Sequence, residues 1–476
     1  MNYQNKYNKY LEKYNKLKGG FVINQGDDDE VNIPTEVIHE NIFSKYSIKD
    51  AIKYSRISQA ARDDVRTHRW NFYNEPIPDF MTIRRFFELF PNAIGLNIAD
   101  RYYEIDDDFI YIPKDEDGNC KLKYLNMQSC HRITEDAFVD LKGIHTLNMQ
   151  NCYEITDADF VHLKGIHTLN MAGCDQITDA VFVHLEGIHT LNMASCEITD
   201  AAFVHLEGIH TLNMTSCEIT DAAFVHLNGI QSLNMSDCRQ ITDAAFVHLN
   251  GIKTLNMTSC RQITDAAFVH LKGIHTLNII NCVNITDAAF VHLNGIKTLN
   301  MSISRQITDA AFVHLNGIQN LDMTSCRQIT DAAFVHLKGI HTLNIMYCFK
   351  LTDAAFVHLN GIQTLNMADC RRITDAAFVH LNGIQNLYMR WCEQITYAAF
   401  VHLKGIKTLN MANCRQITDA AFVHLKGIQN LDISSIKNLT RNAFIYLIGI
   451  KKLYCDDEYF KYKNYLLKNI PVEEWV

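Results

Sequence analysis

One unit recurs along most of this chain. From Tyr124 to Leu453 the pattern L-N-M-x-x-C-R-Q-I-T-D-A-A-F-V-H-L-x-G-I-x-T repeats, its leading leucine falling at 16 positions from Leu125 to Leu453. Thirteen of the 15 intervals are 22 residues long; Leu191 to Leu212 and Leu212 to Leu233 are 21. A period of about 20–29 residues points to a solenoid, in which each unit buries its apolar face only against its neighbours. The repeat also explains the length. At 476 residues the chain exceeds the roughly 250–300 that one core serves, and without the repeat three unrelated domains would be expected.

The unit beginning at Leu233 shows the physical logic. Ile230, Leu233 and Met235 set up a short strand in which Leu233 and Met235 point inward and Asn234 outward, the period of two of a strand. Cys238 and Ile241 point into the core as the chain turns. Thr242 or Asp243 is placed to cap a short helix holding Ala245, Phe246 and Leu249. Gly251 then releases the helix into the next strand. With parallel strands about 4.8 Å apart, 16 units would form a rod on the order of 75 Å long.

The spelling LxMxxCxxITDxxFxxL resembles the cysteine-containing subtype of leucine-rich repeat, over about 330 of the 476 residues. The usual unit of that subtype is longer, and here the return from helix to strand is shortened. The implied fold class is α/β: a leucine-rich-repeat solenoid, a curved horseshoe of parallel short strands and short helices, preceded by a small all-helical module. Leu96, within Ile94-Gly-Leu-Asn-Ile98, reads as an earlier degenerate strand ahead of an irregular insert from Asp106 to Gly118.

The chain holds 15 cysteines and 22 histidines, a composition that raises the question of metal. Thirteen cysteines, from Cys130 to Cys414, fall five residues after a repeat leucine, where Ser304 and Ile436 also occur. A position that accepts serine and isoleucine is a packing position, and no paired C-x₂-C spacing of a zinc site is present. Thirteen histidines from His162 to His424 sit in Phe-Val-His-Leu contexts, and six more precede the strands. Duplication of a parent unit accounts for them. Rows of imidazoles about 5 Å apart would repel if all were charged, so acid sensitivity is expected.

In a duplicated array the sites that diverge carry the information. Residues one, three and four after the leucine are expected on the concave side, and residue six on the adjacent loop. Most units place small polar residues there, but Ile280, Val283, Met346, Tyr347, Phe349, Tyr388, Arg390 and Trp391 depart from that rule. Aromatics with an arginine have the composition of interface hot spots. Tyr347 and Trp391 lie two units apart, hence about 10 Å by strand spacing. A second series is basic: Arg239, Arg261, Arg305, Arg327, Arg371, Arg372 and Arg415. It could meet an acidic or phosphorylated partner, although pairing with the repeated aspartates would neutralise it.

Residues 1–30 read as a flexible lead and 31–70 as a helical module. Pro34, Val37, Ile38, Ile42 and Phe43 suggest one short helix; Asp50, Ala51, Tyr54, Ile57 and Ala61 suggest a second, closed by Trp70. These marks resemble an F-box: Ile33-Pro34 with Glu36 at the opening, Ile42-Phe43, Asp50-Ala51, Ser55 and Ile57, and the terminal tryptophan. Ile42-Phe43 falls one residue late, and Ala60-Ala61-Arg62 replaces the usual basic-tryptophan element. Helices directly before cysteine-type repeats resemble the F-box/leucine-rich-repeat family. The resemblance implies a substrate receptor of a Skp–cullin–F-box ubiquitin ligase, with a Skp-type adaptor docking on Ile33, Pro34, Val37, Ile42 and Phe43. The alternative is a plain cap over the open end of a solenoid. Residues 71–95 read as a bridging helix with Phe80, Ile83, Phe86, Phe87 and Phe90 apolar, 96–455 as the solenoid, and 456–476 as a C-terminal cap.

No catalytic constellation emerges: there is no G-x-S-x-G, phosphate-binding glycine loop, H-E-x-x-H or dinucleotide fingerprint. His, Asp and Cys recur in every unit, whereas a nucleophile needs a singular, activated setting. The expectation is a non-enzymatic receptor or scaffold without cofactor, whose target-binding residues are Ile280, Met346, Tyr347, Phe349, Tyr388, Arg390 and Trp391. The formal net charge of −9 and the absence of interleaved aromatics along the arginines disfavour nucleic acid. The polar, lysine-rich start and the lack of an apolar run argue against a secretory signal or membrane span, so a reducing cytosol or nucleus is expected.

Overall fold

The computed structural model describes residues 46–56, 58–101, 108–437 and 439–457. The chain forms two compact units, the first ending at Ile198 and the second beginning at Thr199.

The first unit opens with helices. Ser47 caps α1 (Ile48–Ser55) by accepting from the Asp50 amide, and Ser58 caps α2 (Gln59–Thr67) by accepting from the Ala61 amide. The single helix expected over Asp50 to Ala61 is therefore two, because Ser58 offers a fresh N-cap before Ala61. Trp70 closes the module, almost wholly buried, its indole donating to the Val65 carbonyl at 2.7 Å and its ring stacked on Phe72 at 5.2 Å. The bridging helix is shorter than expected. Only α3 (Ile83–Leu89) is helical, burying Ile83, Phe86 and Phe87, while Phe80 precedes it and is 81% exposed.

Five short strands follow, β1 (Gly95–Asn97) to β5 (Thr190–Asn192), parallel and in register leucine to leucine: Leu96, Leu125, Leu147, Leu169, Leu191. Strand β1 would be an open edge, but the segment after Trp70 covers it. The Phe72 amide donates to the Gly95 carbonyl at 3.1 Å and the Ile77 amide to the Asn97 carbonyl at 2.9 Å. Glycine at 95 lets this cover approach closely, since a Cβ there would lie 1.9 Å from Asn71 Oδ1 and 3.1 Å from its Cα.

The second unit carries β6 (Thr211–Asn213) to β17 (Lys452–Tyr454), again parallel with each leucine beside the next. The 21-residue interval from Leu212 to Leu233 leaves this register intact, the missing residue being taken out of the turn after Cys217. Ile230, Leu233, Met235, Cys238, Ile241, Ala245, Phe246 and Leu249 are each at most 1% exposed, as the apolar pattern requires. The helical segment of the repeat is a 3-10 helix, Asp243–Leu249 in this unit. With three residues per turn, Phe246 and Leu249 eclipse each other and share the buried side, while Val247 points outward at 49% exposure. The cap is Thr242 rather than Asp243: its hydroxyl accepts from the Ala244 amide at 3.3 Å. Asn250 (φ −56, ψ 124) and Gly251 (φ +91) form the exit, a type II turn whose second residue needs a positive φ.

Candidate functional site

The residue four after each leucine turns the chain off the strand in the left-handed backbone region. Ser259 (φ 62), Ser325 (φ 61) and Asn413 (φ 61) are typical occupants. Small polar residues tolerate that conformation and bulky ones are strained in it. Three units nonetheless hold a large side chain there: Ile303 (φ 66), Tyr347 (φ 61) and Trp391 (φ 63).

The unit beginning at Leu387 has given up two further scaffold side chains. In the flanking units Asn366 and Asn410 accept from the amides of Ala368 and Ala412 at 3.1 Å, closing the turn after the strand. Tyr388 stands in that position and brings no such acceptor. Elsewhere from Asp200 to Asp419 each helix-start aspartate receives the threonine of the following repeat: Thr396 donates to Asp375 from its amide at 2.8 Å and its hydroxyl at 2.5 Å. Tyr397 replaces that aspartate, and Thr418 makes no side-chain cap hydrogen bond. In exchange Tyr388, Arg390 and Tyr397 are exposed and Trp391 is half-buried.

The structure brings part of the expected face together. The Tyr347 and Phe349 rings meet at 6.0 Å, and both are exposed. Arg390 lies over the Trp391 ring at 6.0 Å. Met346 is half-buried in the turn that follows the strand Thr342–Asn344. Ile280 stands apart, three strands from the unit of Met346 and so about 14 Å along the ladder. Two residues not assigned to the face join it: Arg327 over Phe349 and Arg415 over Trp391, each at 6.0 Å. The signal for the arginines is positional: Arg327 shares the sixth position with Phe349 of the next repeat, so stacking sets the two side by side, and Arg415 holds that position in the repeat after that of Trp391.

The expected neutralisation of the arginines by the repeated aspartates does not occur. Those aspartates are taken by threonines, as Asp243 is by Thr264 at 2.8 and 2.5 Å. Arg239 and Arg371 pair with Asp237 and Asp369 instead, at 3.9 and 2.6 Å. The adaptor residues Ile33, Pro34, Val37, Ile42 and Phe43 lie outside the described residues.

The cysteines form a buried row. From Cys238 to Cys414 every thiol donates to a carbonyl of the preceding repeat, as Cys260 Sγ does to that of Met235 at 3.1 Å. Burial pushes the thiols of Cys174, Cys282, Cys326, Cys348 and Cys414 up to about 12, so no reactive thiolate forms near neutral pH. Ser304 keeps the place but not the bond: its buried Oγ has no partner among the described residues. His145, His167 and His189 stack with ring centres 4.6 Å apart, each Nδ1 3.1–3.2 Å from the adjacent threonine hydroxyl. Among the described residues no group of three or more His, Cys, Asp or Glu side chains could hold a metal ion. No helix among them is long and apolar enough to cross a membrane.

Parallel ladders of three-residue strands, each followed by a 3-10 helix and stacked one unit on the next, define a leucine-rich-repeat solenoid. The chain belongs to the BspA type leucine rich repeat family, matched in six copies over residues 101–210, 189–297, 217–344, 283–407 and 350–473. Nothing matches it among curated proteins. Solved structures share the fold at low identity. Mouse RP105 in complex with MD-1 is similar at a TM-score of 0.58 and 15% identity, covering 87% of this chain and 81% of that one. TLR13 in complex with ssRNA13 gives 0.50 and 16%, covering 76% and 61%. Glycosylated Drosophila Toll in complex with Spatzle gives 0.50 and 14%, covering 80% and 58%. Repeats of this kind are a protein-interaction scaffold.

Proposed function

We propose that this chain is the substrate receptor of a Skp–cullin–F-box type ubiquitin ligase and is not itself an enzyme. The repeats hold the target protein through Tyr347, Phe349, Tyr388, Arg390 and Trp391, with Met346 and Ile280 in the turns that follow their strands. The observation that carries the target site is the Leu387 unit, where three positions that serve the scaffold elsewhere hold Tyr388, Trp391 and Tyr397. Strain and lost hydrogen bonds persist where surrounding structure enforces them and function uses them. The ligase half rests on the cysteine-containing spelling of the repeats and on the F-box-like marks before them. Helices α1 and α2 and the buried Trp70 lead directly onto β1 and support a module joined to the repeats. The test is co-purification of the intact chain with a Skp-type adaptor and cullin. Substitution of Pro34 and Ile42 should abolish it and leave target binding intact. Failure of the unsubstituted chain to retain any adaptor would leave the second reading, a non-catalytic scaffold whose helices only cap the solenoid, which the cover over β1 also suits.

A further inference from the structure

Six residues after the leucine, beside the strand face, the second unit carries Arg239, Arg261, Arg305, Arg327, Arg371 and Arg415. Side chains of the following unit hold this row in place: Gln262 donates to the Arg239 carbonyl at 2.5 Å and Asn284 to the Arg261 carbonyl at 2.8 Å. The residue two before each arginine decides whether the charge is matched. Where it is Asp237 or Asp369, the arginine pairs with it. Where it is Ser259, Ile303, Ser325 or Asn413, the arginine has no carboxylate partner among the described residues. Arg261, Arg305, Arg327 and Arg415 therefore present uncompensated positive charge on a chain of net charge −9, and two of them lie against the exposed Phe349 and half-buried Trp391 rings.

We propose that this edge docks an extended acidic segment of a partner protein, its carboxylates on Arg261, Arg305, Arg327 and Arg415 and its apolar side chains against Phe349 and Trp391. The proposal rests on the receptor reading above and names the chemistry of the target. The chain itself displays the contact, since the Arg371 Nε meets the Asp369 carboxylate at 2.6 Å from the same position of the repeat. A polypeptide fits better than a nucleic acid. Asp237, Asp369 and Glu393 interrupt the row and would repel a continuous phosphate backbone, whereas a peptide can place its acidic residues only where unmatched arginines wait. One exposed ion pair is weak and screened by salt; several along one edge, with arginine–ring stacks beside them, give both affinity and direction.

The experiment uses the full chain and fluorescence anisotropy with three labelled probes: a short peptide rich in Asp, Glu and Phe, its Asn/Gln counterpart, and an oligouridylate of equal charge. The acidic peptide should bind, more weakly as salt rises, and the neutral one should not. Ser325→Asp gives Arg327 the internal partner that Arg371 already has, in a backbone conformation Asp369 shows to be tolerated. Together with Ser259→Asp it should weaken the acidic peptide by about three- to tenfold, while Ser325→Asn leaves binding unchanged. Arg305→Glu with Arg415→Glu should remove it. Equal binding by the Asp and Glu variants, or tighter binding of the oligouridylate than of the peptide, would overturn the proposal. Absence of peptide binding with adaptor capture intact sinks this inference alone; lost adaptor capture with peptide binding intact sinks the ligase reading alone.

Discussion

Trp391 occupies a position that most units fill with serine, asparagine, aspartate or glycine. The left-handed backbone costs a bulky L-residue roughly 1–2 kcal/mol, and asparagine visits it more readily. The stacked Arg390 and Arg415 return part of that cost. Trp391→Asn and Tyr347→Asn should therefore leave the protein as stable or more stable by up to about 1 kcal/mol while target binding is lost. Chemical denaturation beside a binding assay reads both quantities. A clear fall in stability would mean that the two aromatics are scaffold after all. Their identity as departures from the repeat was visible in the sequence. That they sit in strained backbone was not, because a torsion angle at one residue is imposed by the stack around it.

Among elements, the ladder of aspartates and threonines ties each 3-10 helix to the next. Each rung gives the threonine amide and hydroxyl one carboxylate, seen from Thr220 on Asp200 to Thr440 on Asp419 within the second unit. The rung between the Leu387 and Leu409 units is missing, since Tyr397 offers no carboxylate, and the N-cap Thr418 accepts no side-chain cap hydrogen bond. In a one-dimensional array, stability is a sum of units and nearest-neighbour interfaces, so a weak interface lets the units beyond it open separately. Hydrogen exchange should find the segment after Tyr397 opening before the units from Leu212 to Leu365. Tyr397→Asp should restore two hydrogen bonds, add about 1–2 kcal/mol and merge the two exchange classes. Uniform exchange in the unsubstituted protein would show that the missing rung is without consequence. The Thr-Asp dipeptide in every unit pointed to a cap, yet whether threonine or aspartate caps depends on a neighbour 21 residues away in sequence.

For the molecule as a whole, duplication multiplies small effects. Fourteen described thiols, Cys120 and the 13 repeat cysteines, are buried. Burial raises twelve of them above their ordinary value of 9.0, to about 12 at Cys326, so the folded state disfavours the thiolate. Their contribution to stability is complete below pH 9 and is lost as pH rises from there toward 12. Each thiol contributes a slope of up to about 1.4 kcal/mol per pH unit in that window. Urea titrations from pH 7 to 11 should show stability flat at first and then falling with the combined slope of many thiols. A slope matching one or two protons would contradict a uniformly buried row. Under native conditions near neutral pH, Cys455 should be the first described thiol to react with a thiol reagent, being the one that is not buried.

What the sequence determines by itself is everything that repeats. Leucine spacing sets the parallel register, the alternation of Leu233 and Met235 sets their burial, and the substitution of Ser304 and Ile436 into the cysteine column marks it as packing. Each depends on period and side-chain chemistry within one unit, and copying the unit copies the answer. The tertiary structure decides whatever passes between units. It assigns the aspartates to threonines and so leaves four arginines unmatched, and it sets Phe349 and Trp391 against arginines of adjacent units. The physical reason is that hydrogen bonds and charge pairs act over a few ångströms, and only stacking brings residues some 22 positions apart within that range.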